Sequence, residues 1–412
     1  MPPPLSPPVD ITIPEPGSET ARTILSRSIL RLIPEFFLAG RSLRLSPEAQ
    51  RDFSTFAAFF RDLAAKNKGV LPSLARRVHI AALVRSLRTG GRESVLRELL
   101  GVCYFELARL SALPTKIKQA APPQRIVSPT AGLVITFPAD TKAVIYENGA
   151  ITIEGDKDRR IDLEALVDKE PGFAATLEGV NAKNPFFEIN EHTKLALADN
   201  NPLSMFEAHP DKEGNAIDLG GKDVQEWTTM LKDAFSLVAE FLPDLRREMD
   251  LLIQQIVPVG YHPQKHLSAS YQEAIGTIYM TLHPNLMTMT EALIHEFSHN
   301  KINALFEVDP LLHNAFSPLY TSPVRPDPRP LHGVLLAVHA FLPVARLYER
   351  MIDAGHPLAK RPGFEQRFAD VRKINAEGAA VVLENGKPTE IGRGVLDEIR
   401  RWDAYFAAFD RG

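Results

Sequence analysis

A single cysteine, Cys103, occurs among 412 residues, so an internal disulfide is excluded and a reducing, cytoplasmic setting is expected. It lies in the apolar run Leu99-Leu-Gly-Val-Cys-Tyr-Phe105, which suits a buried structural thiol. Runs of one charge are also missing: 47 basic and 51 acidic residues are interspersed, for a formal charge of -4. Nothing therefore points to a nucleic-acid partner or an anionic membrane. Nowhere do about 18 apolar residues follow one another, so no membrane span is expected. Met1-Pro-Pro-Pro-Leu-Ser-Pro-Pro8 lacks the basic-then-apolar order of an export signal. Its proline density predicts an extended, flexible lead-in over residues 1–17, to which no function is assigned.

What is present divides the chain by period. Its length leaves room for two or three domains, or for one large enzyme with additions. From Glu19 to about Leu113 apolar residues recur at helical spacing, as in Phe53, Phe56, Phe60 and Leu63. This predicts an N-terminal helical domain over residues 18–120, with the phenylalanines as core. Pro114 and Pro122-Pro123 bracket a linker, after which the period shortens to two. Leu133–Phe137 and Ala143–Tyr146 read as strands, and Asn148-Gly149 is a hairpin signal. Residues 121–165 are thus expected to form a small antiparallel meander. Residues 156–221, with Asn200-Asn201-Pro202 and Gly220-Gly221, are expected to be a loop-rich connection or lid, with His209 as a loop histidine. Trp227–Ile256 reads as one long helix, His266–Ser270 and Thr277–Leu282 as strands, and Gly394–Phe409 as a closing helix.

The informative stretch is Thr288–Phe306, which reads as an amphipathic helix carrying H-E-x-x-H at His295, Glu296 and His299. Histidines four residues apart stand one turn apart on one helix face, where two imidazoles can share a metal ion with Glu296 beside it. Thr288 with Glu291 fits a capping box. Thr277–Leu282 feeds into this helix as strands do in many zinc peptidases, with an edge available for an extended peptide. The expected class is α+β, mostly helical, with residues 166–412 as a metal-dependent catalytic domain built on a zincin-like core.

Two histidines leave a metal incomplete. The longer pattern ending in G-x-x-H fails, because Ile302 and Leu305 occupy its Gly and His positions. Glu349 with Asp353 would offer the downstream carboxylate of a thermolysin-like site. On the helix Leu331–Met351, however, His332 and His339 lie two turns apart on one face and Glu349 points elsewhere. Upstream, Ser322-Pro-Val-Arg-Pro-Asp-Pro-Arg-Pro-Leu-His332 carries four prolines that stiffen the backbone around Arg325 and Arg329. Their guanidinium forks suit a carboxylate; the alternative is pairing with Asp327 or other surface acids.

These segments resemble a known family. Glu291-Ala-Leu-Ile-His-Glu-Phe-Ser-His-Asn-Lys301, the proline-arginine segment through Gly333, and His339-Ala-Phe-Leu-Pro-Val-Ala-Arg346 look like the H-E-x-x-H proteins associated with modification of ribosomally made peptides. Members are regarded as iron(II)- and 2-oxoglutarate-dependent peptide β-hydroxylases. The resemblance covers Thr288 to Arg346 well and the rest weakly. It implies a metal held by His295 and His299 and completed by His339, with His332 as the second candidate. It also implies 2-oxoglutarate anchored by Arg325 and Arg329, and a precursor peptide as partner. The usual oxygenase set is two histidines and a carboxylate, from which a third histidine departs. Imidazole suits iron and zinc alike. Glu296 would be the general base of a zinc peptidase, or a group orienting a ligand or substrate in an oxygenase. A metal-free, degenerate peptide-binding protein is a third reading.

Overall fold

The computed structural model describes residues 5–205, 208, 209, 212–323 and 325–409, and its class is mixed α+β. Five helices open the chain: α1 (Thr20–Phe36), α2 (Pro47–Lys66), α3 (Val70–Ala75), α4 (Val78–Arg88) and α5 (Glu93–Arg109). Ser46 caps α2 from the N-cap position, and Pro47 occupies the first turn, where its missing N–H costs nothing. Six strands follow: β1 (Ile117–Gln119), β2 (Arg125–Ser128), β3 (Leu133–Thr136), β4 (Ala143–Glu147), β5 (Ala150–Glu154) and β6 (Arg159–Asp162). Then come β7 (Ala174–Leu177), β8 (Val180–Lys183), β9 (Phe186–Glu188), β10 (Lys194–Ala196), β11 (Ala208–His209) and β12 (Lys212–Glu213).

The expected hairpin at Asn148-Gly149 is present between β4 and β5, with Gly149 at φ 76°. Two four-stranded antiparallel sheets, ordered β1-β4-β5-β6 and β2-β3-β8-β7, share one apolar core with α2 to α5. The ring centroids of Tyr104 on α5 and Tyr146 on β4 lie 5.5 Å apart inside it. The boundary expected near residue 120 therefore runs through a common core. Cys103 is fully buried there, and burial pushes its thiol well up, as befits a structural residue.

The rest of the chain builds a second core. It comprises α6 (Val224–Phe241), α7 (Pro243–Leu252), β13 (Gln255–Tyr261), β14 (Ser268–Ala269), β15 (Thr277–Leu282) and α8 (Leu286–Phe306). β16 (Leu319–Ser322), β17 (Arg325–Pro330), α9 (Leu331–Asp353), α10 (Phe364–Asn385) and α11 (Glu390–Ala407) complete it. The long helix expected over Trp227–Ile256 is two, because Pro243 begins a new helix after Leu242. A five-stranded sheet, ordered β14-β15-β13-β10-β9, lies at the centre, with β13 parallel to both β10 and β15 and antiparallel strands at its edges.

β15 is thus an interior strand, and the edge beside α8 is the two-residue β14. The alternation of Thr-Ile-Tyr-Met-Thr-Leu misleads because its threonines are buried too. Thr277 Oγ1 accepts from Gln255 Nε2 at 2.9 Å, and Thr281 Oγ1 accepts from Leu267 N at 3.0 Å. Ile256, Ile278 and Met280 face the helical core, while Val257 and Tyr279 pack towards Val127 and Val134.

Two further expectations fail. The stretch 156–221 contributes strands to four sheets, including β9 and β10 of the central one. Strands of three or four residues are too short to show a period. The lead-in is no loose tail either: Ile11 and Thr12 are fully buried, with Thr12 N and Ile13 N each donating to Glu398 on α11 at about 3.0 Å. Proline content hides the apolar Asp10-Ile-Thr-Ile13. α9 is long and apolar enough to cross a membrane, and 72% of that apolar window is buried in protein as a core helix.

Asn300, fully buried on α8, ties this helix to the sheet. Its Oδ1 accepts from Gly276 N at 2.6 Å, and its Nδ2 donates to Ser270 Oγ at 3.0 Å and to the Glu296 carbonyl at 2.9 Å. Asn300→Ala is expected to cost about 1–3 kcal/mol by orphaning these groups, read as a lower urea midpoint. An unchanged midpoint would show that these bonds do not hold the helix.

Candidate metal centre

The N-cap of α8 lies three residues before the expected one. It is Asn285, accepting from Met287 N at 2.8 Å and Thr288 N at 3.4 Å. Glu291, freed from capping, accepts from Tyr348 Oη of α9 and from Arg367 Nη2 of α10 at 2.6 Å. One turn on stands His295, against the Phe341 ring at 4.7 Å, and one turn further His299. Their Nε2 atoms are 2.9 Å apart, with the rings nearly perpendicular at 86°. Ligand atoms of His295, Glu296 and His299 all lie within 4.8 Å of one another. Glu296, 3% exposed, points towards the sheet edge, where Ser268 Oγ of β14 donates to its Oε1 at 2.7 Å.

Burial sets the charge state of this group. It holds His295 well below the ordinary imidazole range, helped by His299, Arg367, His339 and His266. Burial alone pushes His299 down to about 4. Both rings are therefore neutral at pH 7, the form in which imidazole binds a metal. The residues present fit a metal ion: two neutral nitrogens converge, with a carboxylate beside them.

The further candidates are placed differently. His339 on α9 is fully buried, with Nδ1 3.0 Å from Thr12 Oγ1. Its Nε2 has no hydrogen-bond partner among the described residues. Burial, then Lys301 and His299, hold it neutral, with the Ser298 backbone pulling the other way. His332, in the first turn of α9, is wedged between Phe306 at 4.4 Å and Phe316 at 5.2 Å. Burial, then His299, push it down to about 4. Neither histidine falls in the close group of three, although each is electrostatically coupled to His299. Glu349 is occupied elsewhere, paired with Arg346 and accepting from Tyr405 Oη of α11, as its position on the helix wheel implies.

The proline-arginine segment is not a free arm. It forms β17 of a hairpin, with Tyr320 opposite Arg329. Arg329 is 42% exposed, with Nε 2.9 Å from Asp327 Oδ2, the surface pairing weighed against a cosubstrate role. The side chains of Arg325 and His209 lie outside the described residues. Sequence reasoning missed Ser268, Thr12 and the Glu291–Tyr348–Arg367 cluster, all of which depend on tertiary contacts without a spacing signature.

Compared with protein-family models and with curated proteins, the chain matches none.

His332 yields a pH test. Its folded pKa of about 4 lies below the ordinary 6.5, so the unfolded chain takes up a proton at pH values where the folded one does not. Its contribution to stability is intact above 6.5 and falls as pH drops towards 4. His332→Phe, suited to a site between two phenylalanines, is expected to flatten the decline in urea stability across this window. An unchanged slope would contradict the burial of a neutral ring there.

Proposed function

We propose that this protein is a cytoplasmic iron(II)- and 2-oxoglutarate-dependent hydroxylase acting on the β-carbon of a residue in a ribosomally made peptide. The observation that carries this reading is the 2.9 Å between the two Nε2 atoms. Two neutral imidazoles converging in this way could hold one metal ion and leave positions open for a cosubstrate. Among the described residues Glu349 and Glu291, the helix carboxylates that could complete a thermolysin-like set, are both paired elsewhere, which favours an all-imidazole set.

In this reading His295 and His299 hold the metal and His339 completes it. Iron(II) with 2-oxoglutarate supplies an oxidant that draws on O₂, one oxygen atom entering the product and the other the succinate formed as CO₂ is lost. The chain does the positioning. Glu296, fixed by Ser268, orients a ligand or the substrate. Arg329, released from Asp327, and Arg325 take the carboxylates of 2-oxoglutarate. The core is of zincin type, and β14, paired on one side only with β15, offers its outer edge to an extended peptide.

The same Glu296–Ser268 contact favours one alternative, a zinc peptidase in which Glu296 is the base that deprotonates metal-bound water. The two readings separate in one series. Anaerobic protein given Fe(II) and then 2-oxoglutarate is expected to develop a visible charge-transfer band, and the peptide product to gain 16 Da. His299→Ala should lose iron affinity by more than the roughly 10–100-fold typical of an outer-shell change, and the band with it. Arg329→Ala should raise the KM for 2-oxoglutarate and leave iron affinity intact. Glu296→Gln should leave the band in place. Absence of the band, with tight zinc binding and peptide cleavage silenced in Glu296→Gln, would make the peptidase the correct reading.

A further inference from the structure

The segment at residues 8–15 crosses α11 and reaches the buried histidine of α9 as a pinned strap. Glu398 accepts from Thr12 N at 2.9 Å and from Ile13 N at 3.0 Å. Arg401 Nη2 donates to the Val9 carbonyl at 2.8 Å, and Asp10 accepts from Thr20 Oγ1 at 2.6 Å. Where the strap passes over α11 it lies so close that a Cβ on Gly394 would meet the Pro8 carbonyl oxygen at 2.4 Å. The strap ends its polar contacts inside the protein, with Thr12 Oγ1 3.0 Å from His339 Nδ1 and both residues fully buried.

That leaves His339 Nε2 as a buried polar atom without a hydrogen bond among the described residues. Such atoms are rare in folded proteins, and an orphaned N–H is rarer than an orphaned acceptor. An unused lone pair fits the atom better than an unused proton. Threonine suits the outer position, since its β-branch restricts χ1 and holds the hydroxyl in one direction.

We propose that Thr12 is a positioning residue of the metal centre: its hydroxyl oxygen accepts the Nδ1–H of His339, fixing the ring in the tautomer whose Nε2 lone pair is offered to the metal shared by His295 and His299. The N-terminal strap is then part of the site, reaching it from the far end of the sequence. A metal-bound histidine whose other nitrogen is held in this way keeps its tautomer and ring orientation. This inference rests on the reading that His339 completes the metal centre.

The test uses full-length protein with cobalt(II) as a visible probe ion, and metal-free protein carrying ¹⁵N-labelled histidine, with His339→Gln to assign the ring. Wild-type metal-free protein should show His339 protonated at Nδ1. Thr12→Val should lose this single tautomer and weaken cobalt binding about 10–100-fold, and Thr12→Ser should restore both. Gly394→Ala, which displaces the strap without altering Thr12 or His339, should weaken cobalt binding as well. A wild-type His339 protonated at Nε2 would overturn the proposal whatever the variants do. Cobalt binding as tight in Thr12→Val as in wild type would overturn it while leaving the metal centre standing. No cobalt binding by wild type would overturn both.

Discussion

Two imidazole nitrogens 2.9 Å apart can both offer a lone pair to one metal ion only while neither ring carries charge. Desolvation supplies that condition, since a buried imidazolium without a counter-charge is strongly disfavoured. The remaining requirement is mechanical: one face of α8 has to be held still. Asn300 fastens it to Gly276 and Ser270 on the sheet side, and the buried Lys301–Glu248 pair fastens it to α7. Such a pair adds little net stability, yet losing either partner is costly, so it locks the packing.

The site is assembled from parts far apart in the chain. The His295–His299 pair comes from α8, and the Ser268 hydroxyl that fixes Glu296 from the edge strand β14. His332 and His339, which lie outside the close group of three, come from α9. Glu291, Tyr348 and Arg367 tie α8, α9 and α10 together one turn before His295. Thr12 arrives from the N-terminal strap, itself held by Glu398 of α11. Each polar contact is made across elements whose apolar faces form one core, so the chemistry of the group depends on that core closing around it.

How much of this the sequence disclosed follows from the range of each signal. The His295–Glu296–His299 cluster was legible because a helix fixes the geometry of residues four apart wherever it packs. The outward path of Glu349 was legible for the same reason. The period of the first five helices was visible, but their shared core with two sheets was not, because pairing partners such as β3 and β8 lie far apart in sequence. Thr277 and Thr281 disguised a buried strand as an edge, since side-chain hydrogen bonds let threonine sit in a core. Proline density concealed the strap, in which the contacts of Ile11 and Thr12 outweigh composition. Asn285 took the cap from Thr288, and Arg329 found a local acid in Asp327; both were matters of competition among nearby residues.

Anomalous diffraction at the iron edge, from crystals of protein loaded anaerobically with Fe(II), addresses the central claim directly. One peak between His295 Nε2 and His299 Nε2, within bonding distance of His339 Nε2 as well, is the expected result. No peak at this position, with the two nitrogens still sharing a hydrogen bond, would contradict the account.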